Sequence, residues 1–191
     1  MTSKSKSKGN SFEREVAKFL SDTYGDSFVR VPNSGAYIGG SNVHRKQSLN
    51  ENQAKSFKGD IVGPDSWKFF NAECKNYGDF PFHLVLTGEC KLLNEWLEQL
   101  MAVAEPDDLN ILFIKVSRKG KFVCVQSKYT WITDQFLYYT SEKHNDWLII
   151  EFNHFFAHNR DLLKSYSGTI PTPNDTKSGT ILNINTNTIQ A

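Results

Sequence analysis

Two short stretches of this chain carry two carboxylates and an ammonium that can converge. Asp60 opens the run Asp60-Ile61-Val62-Gly63, directly after Lys58-Gly59. Glu73 and Lys75 close the run Trp67-Lys68-Phe69-Phe70-Asn71-Ala72-Glu73-Cys74-Lys75. Between them, Pro64-Asp65-Ser66 is good turn sequence. In a strand, residues two apart share a face. Glu73 and Lys75 should therefore point one way, and Phe70, Ala72 and Cys74 the other. If the two runs pair as a hairpin, Asp60 lies near Glu73 and Lys75. Two hard oxygen ligands suit Mg²⁺ or Mn²⁺. A lysine beside them can orient or activate water and offset charge on a phosphate.

Other elements must position that set. A helix is expected from Asn10 or Ser11, both good caps, to about Tyr24. Its core stripe is Phe12, Val16, Phe19 and Leu20. On a helical wheel Glu13 falls inside that stripe and Glu15 outside it. An inward carboxylate costs stability unless a cation, a water or a basic partner compensates, which makes Glu13 a third candidate. Ser27 to Pro32 reads as the first strand, and Asn33-Ser34-Gly35 after it reads as a turn. Residues 36–58 form a long irregular stretch with His44, Arg45, Lys46, Lys55 and Lys58. Such a loop inside a compact domain is usually functional or disordered.

A second Glu-Cys-Lys, Glu89-Cys90-Lys91, competes with the first. It opens a helical stripe of Leu92, Leu93, Trp96, Leu97, Leu100 and Met101 over about 89–104, with Thr87 as its cap. On a helix Glu89 and Lys91 stand about 200° apart, so the first copy is the site. Lys91 and Gln99 are the residues this helix offers to it. Strands are expected at 110–116, 122–125 and 147–152, and a last helix from His154 to Tyr166. His154 and His158, at i and i+4, lack a nearby third ligand and read as surface or core histidines. The aromatic-rich stretch 128–141 reads first as core.

The Asp60…Glu73-x-Lys75 set resembles the PD-(D/E)XK nuclease superfamily. Together with Lys8-Gly9-Asn10-Ser11-Phe12-Glu13-Arg14-Glu15 and Arg30-Val31-Pro32-Asn33-Ser34-Gly35, it is similar to the archaeal-type Holliday junction resolvases, a family that also occurs in viruses. The likeness covers about residues 8–105. It implies an α/β, restriction-endonuclease-like fold: a mixed central sheet of about five strands flanked by helices, with the first helix on one face and the 89–104 helix packed beside it. It also implies Mg²⁺-dependent hydrolysis of a phosphodiester, with Mn²⁺ substituting, to leave a 5′ phosphate and a 3′ hydroxyl. Asp60, Glu73 and Glu13 would serve the metal, Lys75 the attacking water, and Ser34 would assist catalysis or contact substrate. The substrate would be branched DNA, a four-way junction, cut by a two-fold homodimer. The connection at 36–58 is longer than in archaeal resolvases, which bears on substrate geometry rather than on chemistry. Lys8, Arg14, Arg30, Arg45, Lys46, Lys55 and Lys58 are the candidate DNA contacts.

Composition narrows the alternatives. Residues 1–75 hold 12 Lys or Arg against 8 Asp or Glu, and the remainder 10 against 13, so the net +1 conceals a basic first part. That suits a polyanionic partner. Three cysteines without Cys-x-x-Cys spacing argue against a disulfide framework and a zinc site. No apolar run is long enough to span a membrane, and no signal core opens the chain, so a soluble, cytoplasmic protein is expected (in the host cytoplasm if viral). The organisation expected is a flexible basic arm at 1–9, a nuclease domain at 10–166 and a disordered tail at 167–191. Two other functions fit the same fold. One is a restriction-like or general DNA-processing nuclease. The other is a non-catalytic DNA-binding module, which the full set Glu13, Asp60, Glu73 and Lys75 disfavours.

Overall fold

The structure, a computed structural model, describes residues 3–32 and 58–169, with residues 3–8 as backbone. Helix α1 (Ser3–Tyr24) is followed by strands β1 (Val29–Arg30), β2 (Ile61–Val62) and β3 (Phe70–Tyr77). Two helices come next, α2 (Phe82–Leu86) and α3 (Lys91–Met101). Strands β4 (Leu109–Val116), β5 (Gly120–Gln126), β6 (Leu137–Tyr139) and β7 (Trp147–Glu151) then lead into α4 (Phe152–Gly168). The sheet runs β1-β2-β3-β4-β5-β7-β6. Only β3 and β4 are parallel; every other neighbouring pair is antiparallel. A parallel pair needs a crossover connection, and α2 and α3 lie in it.

The mixed sheet flanked by helices is as expected, with seven strands among the described residues where about five were foreseen. β1 and β2 fall within the first strand and the hairpin run read from the sequence, each only two residues long, while β6, three residues long, is too short to leave a periodic signature. The long strand β4 is buried from Leu109 through Ile114, as befits a strand covered on both faces.

The two faces carry separate cores. Leu109, Ile111 and Phe113 of β4, with Phe70, Ala72 and Cys74 of β3, pack under Phe12, Val16 and Leu20 of α1 and Phe155, Phe156 and Leu163 of α4. Leu112, Ile114 and Val116 pack against Leu93, Trp96, Leu97 and Leu100 of α3 and Val85 of α2. Alternation along β4 thus places α3 on the face opposite α1, not beside it. Of the aromatic stretch, Tyr129, Trp131 and Tyr139 join the cores, while Phe136 and Tyr138 are exposed. All three cysteines are buried free thiols.

Three helix starts move. Helix α1 starts at Ser3 rather than at Asn10 or Ser11, so the segment expected as an arm extends the helix. Asn10 does not cap it, because its Oδ1 accepts from Arg30 Nη2 at 2.8 Å. Helix α3 starts at Lys91, and Thr87 does not cap it: the Thr87 hydroxyl donates back to the Leu84 carbonyl at the end of α2. Helix α4 starts at Phe152, two residues early, because the Glu151 carboxylate accepts the His154 N–H at 2.7 Å and caps it. Residues 170–191, the greater part of the expected tail, lie outside the described residues.

Candidate active site

The hairpin read from the sequence forms, with Ile61 opposite Ala72. Two backbone contacts hold its Asp60 end. The Asp60 N–H donates to the Ala72 carbonyl at 2.7 Å, and the Asp60 carbonyl accepts from the Val31 N–H at 2.9 Å. Gly59 makes the approach possible. Its φ is +68°, and a Cβ there would stand 2.4 Å from the Ala72 carbonyl oxygen, so only glycine fits. The Asp60 side chain then turns onto β3, where Oδ2 accepts the Cys74 N–H at 2.9 Å. A carboxylate from one strand is thus pinned to the peptide that separates Glu73 from Lys75.

Glu73 and Lys75 project from β3 toward α3. Lys75 Nζ donates to Glu73 Oε1 at 2.7 Å and to Gln99 Oε1 of α3 at 2.6 Å. Gln99 therefore joins the site. Lys91 lies eight residues earlier on the same helix, about 12 Å along its axis, and is exposed. Asn71, two residues before Glu73 on the same face, ties β3 to the end of α3 by donating to the Leu100 carbonyl at 3.0 Å. The competing Glu89 is exposed in the link between α2 and α3.

Glu13 comes from α1, and its side chain is 12% exposed against 39% for Glu15. Its carboxylate is paired with Arg30 Nε, whose Nη2 reaches Asn10. Glu15 instead binds Lys115 and Lys121 on the sheet at 2.5 and 3.2 Å. The wheel therefore separates the two glutamates correctly.

These carboxylates share one electrostatic environment. Burial, and then the Asp60 charge, push Glu73 up to about 7, against the pull of Lys75. Burial and Asp60 also raise Glu13, while the hydrogen bond from Arg30 lowers it. Three carboxylates meet two cations, Lys75 and Arg30. Among the described residues no group of three or more His, Cys, Asp or Glu side chains is gathered tightly enough to hold a metal ion alone. The buried Asp60 and Glu73 nevertheless fit a hard divalent cation, which Mg²⁺ commonly meets with one or two carboxylates, waters and substrate phosphate. A divalent charge would offset the repulsion that raises Glu73.

The remaining candidates fall as follows. Arg14 is exposed on α1. Arg30, expected at DNA, faces Glu13. Lys58, also expected at DNA, turns inward to Asp108, with only 12% of its side chain exposed. Ser34, Arg45, Lys46 and Lys55, and the side chain of Lys8, lie outside the described residues. His154 faces Asp134 at 3.2 Å. Sequence reasoning missed Asp108 and the structural demand on Gly59. A glycine directly before the candidate aspartate was the available signal for the second.

Comparison with known families gives a match. The family described as "Phage putative PDDEXK endonuclease" matches residues 4–165, more than four fifths of the chain. No curated protein and no solved structure gives a significant match. Among the described residues no helix is long and apolar enough to cross a membrane.

Proposed function

The chain belongs to that phage PDDEXK endonuclease family, and from this premise we propose that it hydrolyses DNA phosphodiesters at Asp60, Glu73 and Lys75, with four-way junctions as its substrate. The observation that carries the site is the Asp60 carboxylate bonded to the Cys74 N–H, between Glu73 and Lys75. The likeness of the Glu13, Arg30-to-Gly35 and Asp60-to-Lys75 segments to junction resolvases supports the choice of substrate. It also supports action as a two-fold pair, which would make two symmetric cuts.

Nucleases of this kind generally use divalent metal ions, and we assign Mg²⁺, replaceable by Mn²⁺, to Asp60 and Glu73. Such an ion, when bound, acidifies water and neutralises charge on the scissile phosphate. The protein's own groups do the rest. Asp60 is oriented by the Cys74 N–H and Glu73 by the Lys75 ammonium. Lys75, steadied by Gln99, presents a cation to the attacking water and to the charge developing on phosphorus oxygens. Glu13, steered by Arg30, lies close enough to Asp60 to feel its charge and would accept a hydrogen bond from water at the site. Arg14, with Lys8, Arg45, Lys46 and Lys55, would meet the DNA backbone, and Ser34 would contact substrate.

The test is cleavage of a labelled four-way junction beside linear duplex, single strand and a replication fork in Mg²⁺, with Glu73→Ala as control. Symmetric nicks on the junction, absent in the variant, are expected. Equal cutting of every substrate would replace the junction reading with a general DNA-processing nuclease. Binding without cutting in both Mg²⁺ and Mn²⁺ would overturn the catalytic reading.

A further inference from the structure

Two residues before Asp60, Lys58 forms a close ion pair with Asp108, at the turn that leads into β4. The pair is nearly closed to water, with side chains 12% and 2% exposed. Asp108 is a fixed post. Its Oδ2 also accepts the Glu105 N–H at 2.5 Å, and its carbonyl accepts from Tyr129 Oη at 3.1 Å and Asn110 Nδ2 at 3.2 Å. Next to it the Leu109 N–H donates to the Phe69 carbonyl at 2.8 Å, tying this turn to the start of β3.

A buried ion pair is weak support for stability, because apolar residues of similar volume often do as well or better. Its place in the chain suggests another use. From Lys58 the backbone passes through Gly59, which lies against Ala72, and arrives at Asp60. The segment is gripped at Lys58 by the β4 end and at Asp60 by β3. Between the grips lies Gly59 at φ +68°, a conformation glycine adopts without strain, so the two grips rather than the link fix where Asp60 stands.

We propose that Lys58 and Asp108 are positioning residues, a clamp that sets where the Asp60 carboxylate stands and so sets the affinity of the site for a divalent cation. The clamp rests on the reading of Asp60 as a metal carboxylate. Neither clamp residue touches the metal or the substrate. Supporting groups one step removed from a metal site commonly change its affinity by about 10- to 100-fold when lost.

The experiment measures Mn²⁺ binding to the full chain without DNA, by the loss of the free-ion EPR signal, beside thermal unfolding. Mg²⁺ titrations of cleavage accompany it. The double variant Lys58→Met/Asp108→Asn removes both charges and should unfold within a few degrees of the parent. It should bind Mn²⁺ about 10-fold more weakly and need correspondingly more Mg²⁺ for half-maximal cleavage, and Lys58→Arg should keep most of the affinity. A folded double variant with unchanged Mn²⁺ affinity would overturn the clamp. Should it fail to fold, Asp108→Glu, which keeps both charges but shifts the post, decides by the same measurement: weaker Mn²⁺ binding is expected, and parental affinity overturns the clamp. Asp60→Asn keeps the two failures apart. If it binds Mn²⁺ as the parent does, the metal-site reading fails; if it loses Mn²⁺ while the clamp variants do not, only the clamp fails.

Discussion

The Asp60 carboxylate is hydrogen-bonded to the peptide N–H of Cys74, the residue between Glu73 and Lys75. This contact turns two sequence-distant carboxylates into one site. It also places like charges together in a buried setting, which is stable in an apo protein only if protons or cations compensate.

Glu73→Gln should therefore separate function from stability. The amide removes one of the two facing charges and keeps the shape. Cleavage is expected to fall by at least about 100-fold, while the metal-free variant should unfold at the parent's temperature or higher near neutral pH. Turnover assays and calorimetry in EDTA check the two halves.

The same residue sets a pH dependence. Glu73 has its folded pKa raised from 4.5 to about 7. Between those values the folded state keeps a proton that the unfolded state has released, so rising pH favours unfolding. This stabilising contribution is complete below about pH 4.5 and is lost as pH passes about 7. The difference in melting temperature between parent and Glu73→Gln in EDTA should move in the variant's favour by a few degrees across that window. A saturating divalent cation should erase the trend.

Gly59→Ala should harm both fold and site. The added Cβ meets the Ala72 carbonyl oxygen at 2.4 Å in a backbone with φ +68°. The left-handed conformation alone costs about 1–2 kcal/mol, and the clash forces Asp60 away from Cys74. A drop in melting temperature of several degrees is expected, with a greater proportional loss of cleavage at temperatures where the variant remains folded.

Gln99→Ala should weaken catalysis with little cost to the fold. Gln99 is an exposed residue of α3 whose amide oxygen holds Lys75 at 2.6 Å. Its loss leaves Lys75 on Glu73 alone, and kcat should fall by about 10-fold with stability within about 0.5 kcal/mol of the parent. Steady-state kinetics beside denaturant unfolding test this.

Arg30→Met should move the pH profile of cleavage. Burial and Asp60 raise the Glu13 carboxyl, and Arg30 opposes them through its hydrogen bond and charge. Without Arg30 the carboxyl needs a higher pH to ionise, so the acidic limb of the rate profile should shift to higher pH. An unchanged limb with Arg30→Met would remove Glu13 from the reaction.

Several features were legible from residue order because they depend on local periodicity. The strand alternation of Phe70 to Lys75 predicts which side chains share a face. The helical stripe separates Glu13 from Glu15, whereas Glu89 and Lys91 are excluded by their exposed positions in the link and at the start of α3, not by the helical angle expected between them. Boundaries were less legible where tertiary bonds compete with local signals. Asn10, a good cap by type, is taken by Arg30, and Thr87 bonds backward to Leu84.

By itself, then, the sequence determined the chemical types and their local faces, since these follow from a period of two in strands and 3.6 in helices. Tertiary structure alone decided the partners. Arg30 and Lys58 read as surface cations from their neighbours in the chain, yet each is drawn inward by a carboxylate far from it in sequence, Glu13 for one and Asp108 for the other. The parallel pairing of β3 with β4 sets Asp108 beside the start of β3, and the crossover between those strands carries Gln99 across the opposite face to Lys75. Pairings of that kind arise from how strands are ordered in a sheet, and no local spacing encodes that order.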